Sequence, residues 1–123
     1  MSAPSLQLEN GLPCRPASVA LAALVAFAAP PVWSEEETVQ LKVGRALFTQ
    51  NAVPACAVCH TLKDAGAQGL VGPVLDELKP DAARVATALR NGIGQMPSYK
   101  GRLDESQIAA LAAYVAKASG ASG

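Results

Sequence analysis

Histidine occurs once in this chain, at position 60, and cysteine three times. A structural zinc site takes four ligands, usually Cys or His. Cys56, Cys59 and His60 supply three, and the remaining cysteine, Cys14, lies far upstream. The want of a fourth Cys or His argues against zinc. Neither sign of charge is in excess, with ten Lys plus Arg against ten Asp plus Glu. That excludes nucleic acid, which is bound through a basic face. No stretch alternates at period two for long enough to make a strand. Without a βαβ pattern, a thioredoxin-like dithiol is excluded as well. Aromatic residues make up only 4% of the chain, which leaves a small domain short of large core side chains. The longest apolar run, Ala17 to Ala29, is broken only by Ser18. It is shorter than the roughly 20 apolar residues that a membrane-spanning helix needs.

What is present is concentrated at Cys56-Ala57-Val58-Cys59-His60. Two thiols three residues apart, with an imidazole directly after the second, form the C-x-x-C-H pattern of covalent c-type haem attachment. The spacing sets Cys56 and Cys59 about one helical turn apart on one face. Each sulfur can then bond one vinyl group of neighbouring pyrroles. His60 follows closely enough to send Nε2 to the iron. One haem c is the implied cofactor.

The first 34 residues read as an export leader. Arg15 precedes the apolar run, Pro30 and Pro31 end it, and Val32 and Ser34 occupy the −3 and −1 positions of a cleavage site. That is the three-part layout of a secretory signal. Cleavage after Ser34 removes Cys14 and leaves one domain, residues 35–123, with nine acidic and nine basic side chains. Export agrees with the motif, because c-type haem is attached outside the cytoplasm. The expected location is the periplasm, with no stable membrane anchor.

Within residues 35–123 the spacing predicts three main helices. Glu35-Glu36-Glu37 is a solvated lead-in whose charge suits a helix start. The first helix is expected from Thr38 to Gln50, with Leu41, Gly44, Leu47 and Phe48 on one face. Pro54 ends the segment. Thr61 to Leu70 reads as a loop. Val71-Gly72-Pro73-Val74-Leu75 follows, and a ligating histidine normally donates its second ring N–H to a carbonyl or carboxylate. The Pro73 carbonyl is the candidate acceptor for the His60 Nδ1 proton, although an ordinary turn would use the same residues. The second helix is expected from Pro80 to about Arg90 or Asn91, with Val85 and Leu89 apolar and Gly92 as its stop. Met96 then lies in a glycine-rich loop before Pro97, 36 residues after His60. It is the only methionine after Met1, and its place off any helix face suits a second axial ligand better than core filling. Arg90, Tyr99 and Lys100 are candidate partners for the haem propionates. The third helix starts at Asp104, with Gln107 completing a capping box. Ile108, Leu111, Ala112 and Val115 follow helical spacing, with Tyr114 at the stripe's edge. Gly120 onward reads as a frayed tail.

Taken together, these residues resemble the class I cytochromes c. The resemblance runs from about Leu41 to Lys117. It rests on C-x-x-C-H, the Gly72-Pro73 turn with Leu75, Met96-Pro97, and the flanking helices. It implies an all-α fold wrapped around one covalently bound haem c, with Gly44 and Phe48 meeting Leu111 and Tyr114 where the terminal helices cross. It implies His60 and Met96 as axial ligands, single-electron transfer as the activity, and no catalytic residue. Ala46-Leu47-Phe48, Gly72 through Leu78, Asn91-Gly92-Ile93-Gly94 and Met96 through Tyr99 are further similar to the small cytochrome subunit of bacterial sulfite dehydrogenases. That likeness implies a molybdenum-containing sulfite-oxidising partner upstream, and a cytochrome c or terminal oxidase downstream. A free-standing electron shuttle would carry the same site. A ligand-binding or peroxidatic haem protein would require that Met96 leave the iron open.

Overall fold

The computed structural model describes residue 11 and residues 34–121. The expected leader, Ser34 and Gly11 apart, and Cys14 with it, lie outside the described residues. The chain divides into the units Met1–Pro30 and Pro31–Gly123, and the domain lies in the second.

The first helix, α1 (Glu35–Ala46), begins earlier than its apolar spacing predicts. The reason is a cap: Ser34 Oγ accepts the Glu37 N–H at 3.3 Å. The three glutamates are thus the first turn rather than a lead-in, where their charge opposes the positive end of the helix dipole. Helical geometry continues past Ala46 but widens into a π turn over Leu47–Asn51. The turn buries both Leu47 and Phe48. It closes with the Ala52 N–H on the Leu47 carbonyl at 3.2 Å.

A 3₁₀ turn, Cys56–Val58, carries the haem motif. The expected loop after it contains a two-residue antiparallel hairpin, β1 (Thr61–Leu62) and β2 (Ala67–Gln68), in the register Thr61 with Gln68 and Leu62 with Ala67. Such strands are too short to leave a period-two signature. A single helical turn, α2 (Leu75–Leu78), follows. The next helix, α3 (Ala82–Asn91), starts two residues after the expected Pro80. Asp81 takes the capping role by accepting the Arg84 N–H at 2.7 Å, while Pro80 is buried. Gly92 ends α3 at φ 71°, a conformation that side chains with a Cβ rarely adopt.

The last helix, α4 (Glu105–Ser119), has the predicted capping box: the Gln107 N–H donates to Asp104 Oδ1 at 2.8 Å, and the Asp104 N–H to Gln107 Oε1 at 3.0 Å. Gly120 is an ordered left-handed cap rather than the start of a frayed tail. The N–H groups of Gly120 and Ala121 donate to the Lys117 and Ala116 carbonyls.

Helices α1 and α3 both pack on α4. The α1–α4 crossing is close because Gly44 offers no side chain. A Cβ there would collide with the Ala110 carbonyl oxygen and sit 2.5 Å from Tyr114 Cβ. Phe48 and Tyr114 meet edge-to-face with ring centroids 6.0 Å apart. The Tyr114 hydroxyl donates to Asp64 Oδ2 at 2.6 Å, fastening the hairpin to α4. Tyr114, at the edge of the stripe, is buried by this crossing. The fold is the expected all-α arrangement of three long helices. Among the described residues, no helix is long and apolar enough to cross a membrane.

Candidate haem site

A cavity of about 470 Å³ opens among these elements. Phe48, Leu89, Leu111 and Val115 line it from the buried core. The haem motif, the 71–73 turn and the Met96 loop complete the lining.

The motif is held by its own backbone. The Cys56 carbonyl accepts the N–H of Cys59 at 3.1 Å and of His60 at 2.9 Å. This tight turn brings both sulfurs and the imidazole to the cavity. Neither cysteine is in a disulfide. Burial pushes the Cys56 thiol up to about 11, so it stays neutral at ordinary pH.

The 69–73 segment is laid against the motif. The Gly69 N–H donates to the His60 carbonyl at 3.2 Å, and the Gly72 N–H to the Cys59 carbonyl at 2.7 Å. His60 Nδ1 lies 2.9 Å from the Pro73 carbonyl oxygen. A carbonyl can only accept, so Nδ1 carries a proton, and in the neutral ring the lone pair is then on Nε2. Gly72 makes this approach possible. A Cβ there would meet the imidazole itself, 2.7 Å from Nδ1 and 2.9 Å from Nε2.

Met96 is half-buried and lines the same cavity. Its loop is closed by a pair of backbone hydrogen bonds exchanged with Ile93, at 3.1 and 2.9 Å. Gly92 lets the loop fold back, since a Cβ there would sit 2.8 Å from the Met96 carbonyl oxygen. Cys56, Cys59, His60, Pro73 and Met96, separated by up to 40 positions in sequence, are thus gathered around one cavity.

Of the residues that sequence suggested for the propionates, Arg90 and Lys100 are not gathered in this way. Arg90 forms a two-pronged ion pair with Glu105, and neither Arg90 nor Lys100 lines the cavity. Tyr99 does line it, with its hydroxyl donated to the Pro54 carbonyl at 2.6 Å. The cationic side chain at the cavity is Arg84, which sequence reasoning missed. No local motif marks it, because the packing of α3 against the other elements decides what it faces. Its guanidinium has no ion-pair partner among the described residues, which leaves it able to meet a carboxylate of the cofactor.

An apolar cavity of this size, with two unpaired thiols and an imidazole of fixed tautomer on its lining, fits a haem joined through two thioethers. The comparisons agree. A family model described as cytochrome c oxidase, cbb3-type, subunit III matches residues 39–115. This chain is a class I c-type cytochrome. Cytochrome c6 of Bryopsis maxima is 33% identical over 63% of this chain and 90% of its own length. Cytochrome c-551 of Halorhodospira halochloris is 30% identical over 58% and 92%. The crystal structure of the c-type cytochrome SorU from Sinorhizobium meliloti is similar at 52% identity with a TM-score of 0.65, covering 68% of this chain and 94% of that one. The cytochrome carries one covalently bound haem c and acts as an electron carrier.

Proposed function

We propose that this cytochrome is exported and accepts electrons from a molybdenum-containing, sulfite-oxidising subunit. One observation carries the reading: the segments that bear the sulfite dehydrogenase resemblance, Gly72–Leu78, Asn91–Gly94 and Met96–Tyr99, line the cavity through Gly72, Pro73, Leu75, Ile93, Met96 and Tyr99. The likeness to SorU supports the same placing.

Bound haem supplies a one-electron couple. His60 Nε2 and the Met96 thioether are the proposed axial ligands, an arrangement that raises the reduction potential and favours acceptance of electrons. With both positions taken, the site needs room for no substrate. The expected outcome for Met96→Ala is a potential lower by about a hundred millivolts or more, given that axial ligands span roughly 0.8 V, together with carbon monoxide binding to the reduced protein. An unchanged potential and spectrum would show that another group completes the coordination.

The partner is expected to dock at the cavity rim. Val71 and Ile93 line the cavity, yet each is 65% exposed, and Leu70 beside Val71 is 91% exposed. Residues 35–123 carry balanced charge, so short-range apolar fit outweighs long-range steering. The test is purification of the native protein from its source, followed by addition of sulfite. A molybdenum subunit at fixed stoichiometry and reduction of the haem by sulfite are expected. A protein that always purifies alone, or a haem that stays oxidised in the complete complex, would favour a free-standing shuttle that passes electrons to a downstream cytochrome c or terminal oxidase.

A further inference from the structure

Two hydrogen bonds join the segment after Met96 to the segment before Cys56. The Tyr99 hydroxyl donates to the Pro54 carbonyl at 2.6 Å. An Arg102 guanidinium N–H donates to the Val53 carbonyl at 3.0 Å. Adjacent carbonyls are thus taken by side chains three residues apart, across 45 and 49 residues of sequence. Neither bond belongs to a helix or strand.

The donors are themselves fixed. Tyr99 is 3% exposed. Its N–H donates to the Leu89 carbonyl at 2.7 Å, at the end of α3, and its own carbonyl accepts the N–H groups of Arg102 and Leu103 at 2.9 and 3.0 Å. Ser98 Oγ adds a bond to the Arg90 carbonyl at 2.5 Å. Burial pushes the Tyr99 phenol up to about 12, so at neutral pH it is protonated and able to donate. The Met96 loop therefore has one anchor on α3 and a second on the chain leading into the haem motif.

We infer that Tyr99 and Arg102 are positioning residues: a two-point latch that holds the Met96 loop against the Cys56 segment and keeps the methionine side of the iron closed. The inference rests on the reading of Met96 as an axial ligand. Once Cys56 is joined to the haem, the segment before it is anchored to the ring. A loop tied to that segment is held in register with the iron. Without the tie, the α3 anchor alone would let the loop swing about Gly92. The buried phenol bond contributes more than the exposed guanidinium bond, because solvent competes for the second.

The experiment uses the ferric holoprotein, with imidazole as the probe. Imidazole can bind the iron only when the methionine has left. Tyr99→Phe keeps the ring and removes the hydroxyl, and Arg102→Gln removes the second tie. Tyr114→Phe is the control: it removes a phenol bond of the same length, to Asp64, from a ring that does not line the cavity. Each variant is also unfolded chemically. Tyr99→Phe is expected to speed imidazole binding about tenfold, Arg102→Gln by less, and Tyr114→Phe to lower stability without changing the rate. If Tyr99→Phe binds imidazole no faster than wild type, or Tyr114→Phe speeds binding as much, the latch is overturned while the Met96 reading stands. If the wild-type protein takes up imidazole at once, with no thioether-to-iron absorption band, the Met96 reading fails and the latch with it.

Discussion

The chain carrying both Cys56→Ala and Cys59→Ala is expected to carry no covalent haem, and to lose its fold with it. Cys56 and Cys59 are the only cysteines of residues 35–123, so no other thiol of that segment can take up the ring. Each single variant keeps one thioether and should show reduced yield rather than none. Loss of the fold follows from the cavity. Phe48, Leu89, Leu111 and Val115 belong both to the hydrophobic core and to the lining, so the haem is the missing part of that core. Without the haem these apolar side chains would face solvent. Peroxidase-stained denaturing gels would check attachment, and far-ultraviolet circular dichroism the fold. Undiminished covalent haem in the double variant would contradict the assignment of the motif.

Gly44→Leu is expected to destabilise the holoprotein by about 3 kcal/mol or more, at the upper end of what overpacking costs. Leucine is the better helix former by nearly 1 kcal/mol, but that gain is small beside the collision. Already at Cβ the new side chain meets the Ala110 carbonyl oxygen and Tyr114 Cβ. The first belongs to the backbone of α4, and the second is the rigid root of a ring. Nor can the helices simply part. Phe48 is wedged on Tyr114, and Glu37 pairs with Lys117 at 2.8 Å across the same crossing. Chemical denaturation of the holoprotein gives the number directly. Gly44→Ala should lose less, because a methyl asks for a smaller shift. A neutral leucine variant would mean that α1 lies on α4 by another face.

How much of this was legible beforehand divides along the range of the forces involved. The C-x-x-C-H turn, the Asp104–Gln107 capping box and the apolar stripe of α4 are local, and the residues carry them in their spacing. The His60–Pro73 contact could be anticipated because ligand chemistry demands an acceptor and a glycine-proline turn stood close by. Where the helices begin was harder. Apolar spacing marks the buried face, whereas Ser34 and Asp81 set the starts through hydrogen bonds to backbone, so α1 begins earlier than its stripe suggests and α3 later than the proline suggests. The π turn, the two-residue strands and the single turn α2 are too short to repeat any pattern. The exposure of Arg84 to the cavity and the bonds of Tyr99 and Arg102 to Pro54 and Val53 join distant segments. Only the folded chain brings them together.

The bare α-carbon of Gly72 has a consequence for speed. Each electron that comes or goes changes the charge at the iron by one, and any ligand that must shift in response slows the exchange. Under the ligation proposed here, His60 has little freedom to shift. Its Nδ1 is bonded to the Pro73 carbonyl, its ring lies against the Gly72 backbone, and that backbone donates in turn to the Cys59 carbonyl. A larger residue at position 72 would push the ring off and break this stack. By letting the imidazole be packed and hydrogen-bonded this closely, the glycine would limit the nuclear rearrangement that accompanies each electron.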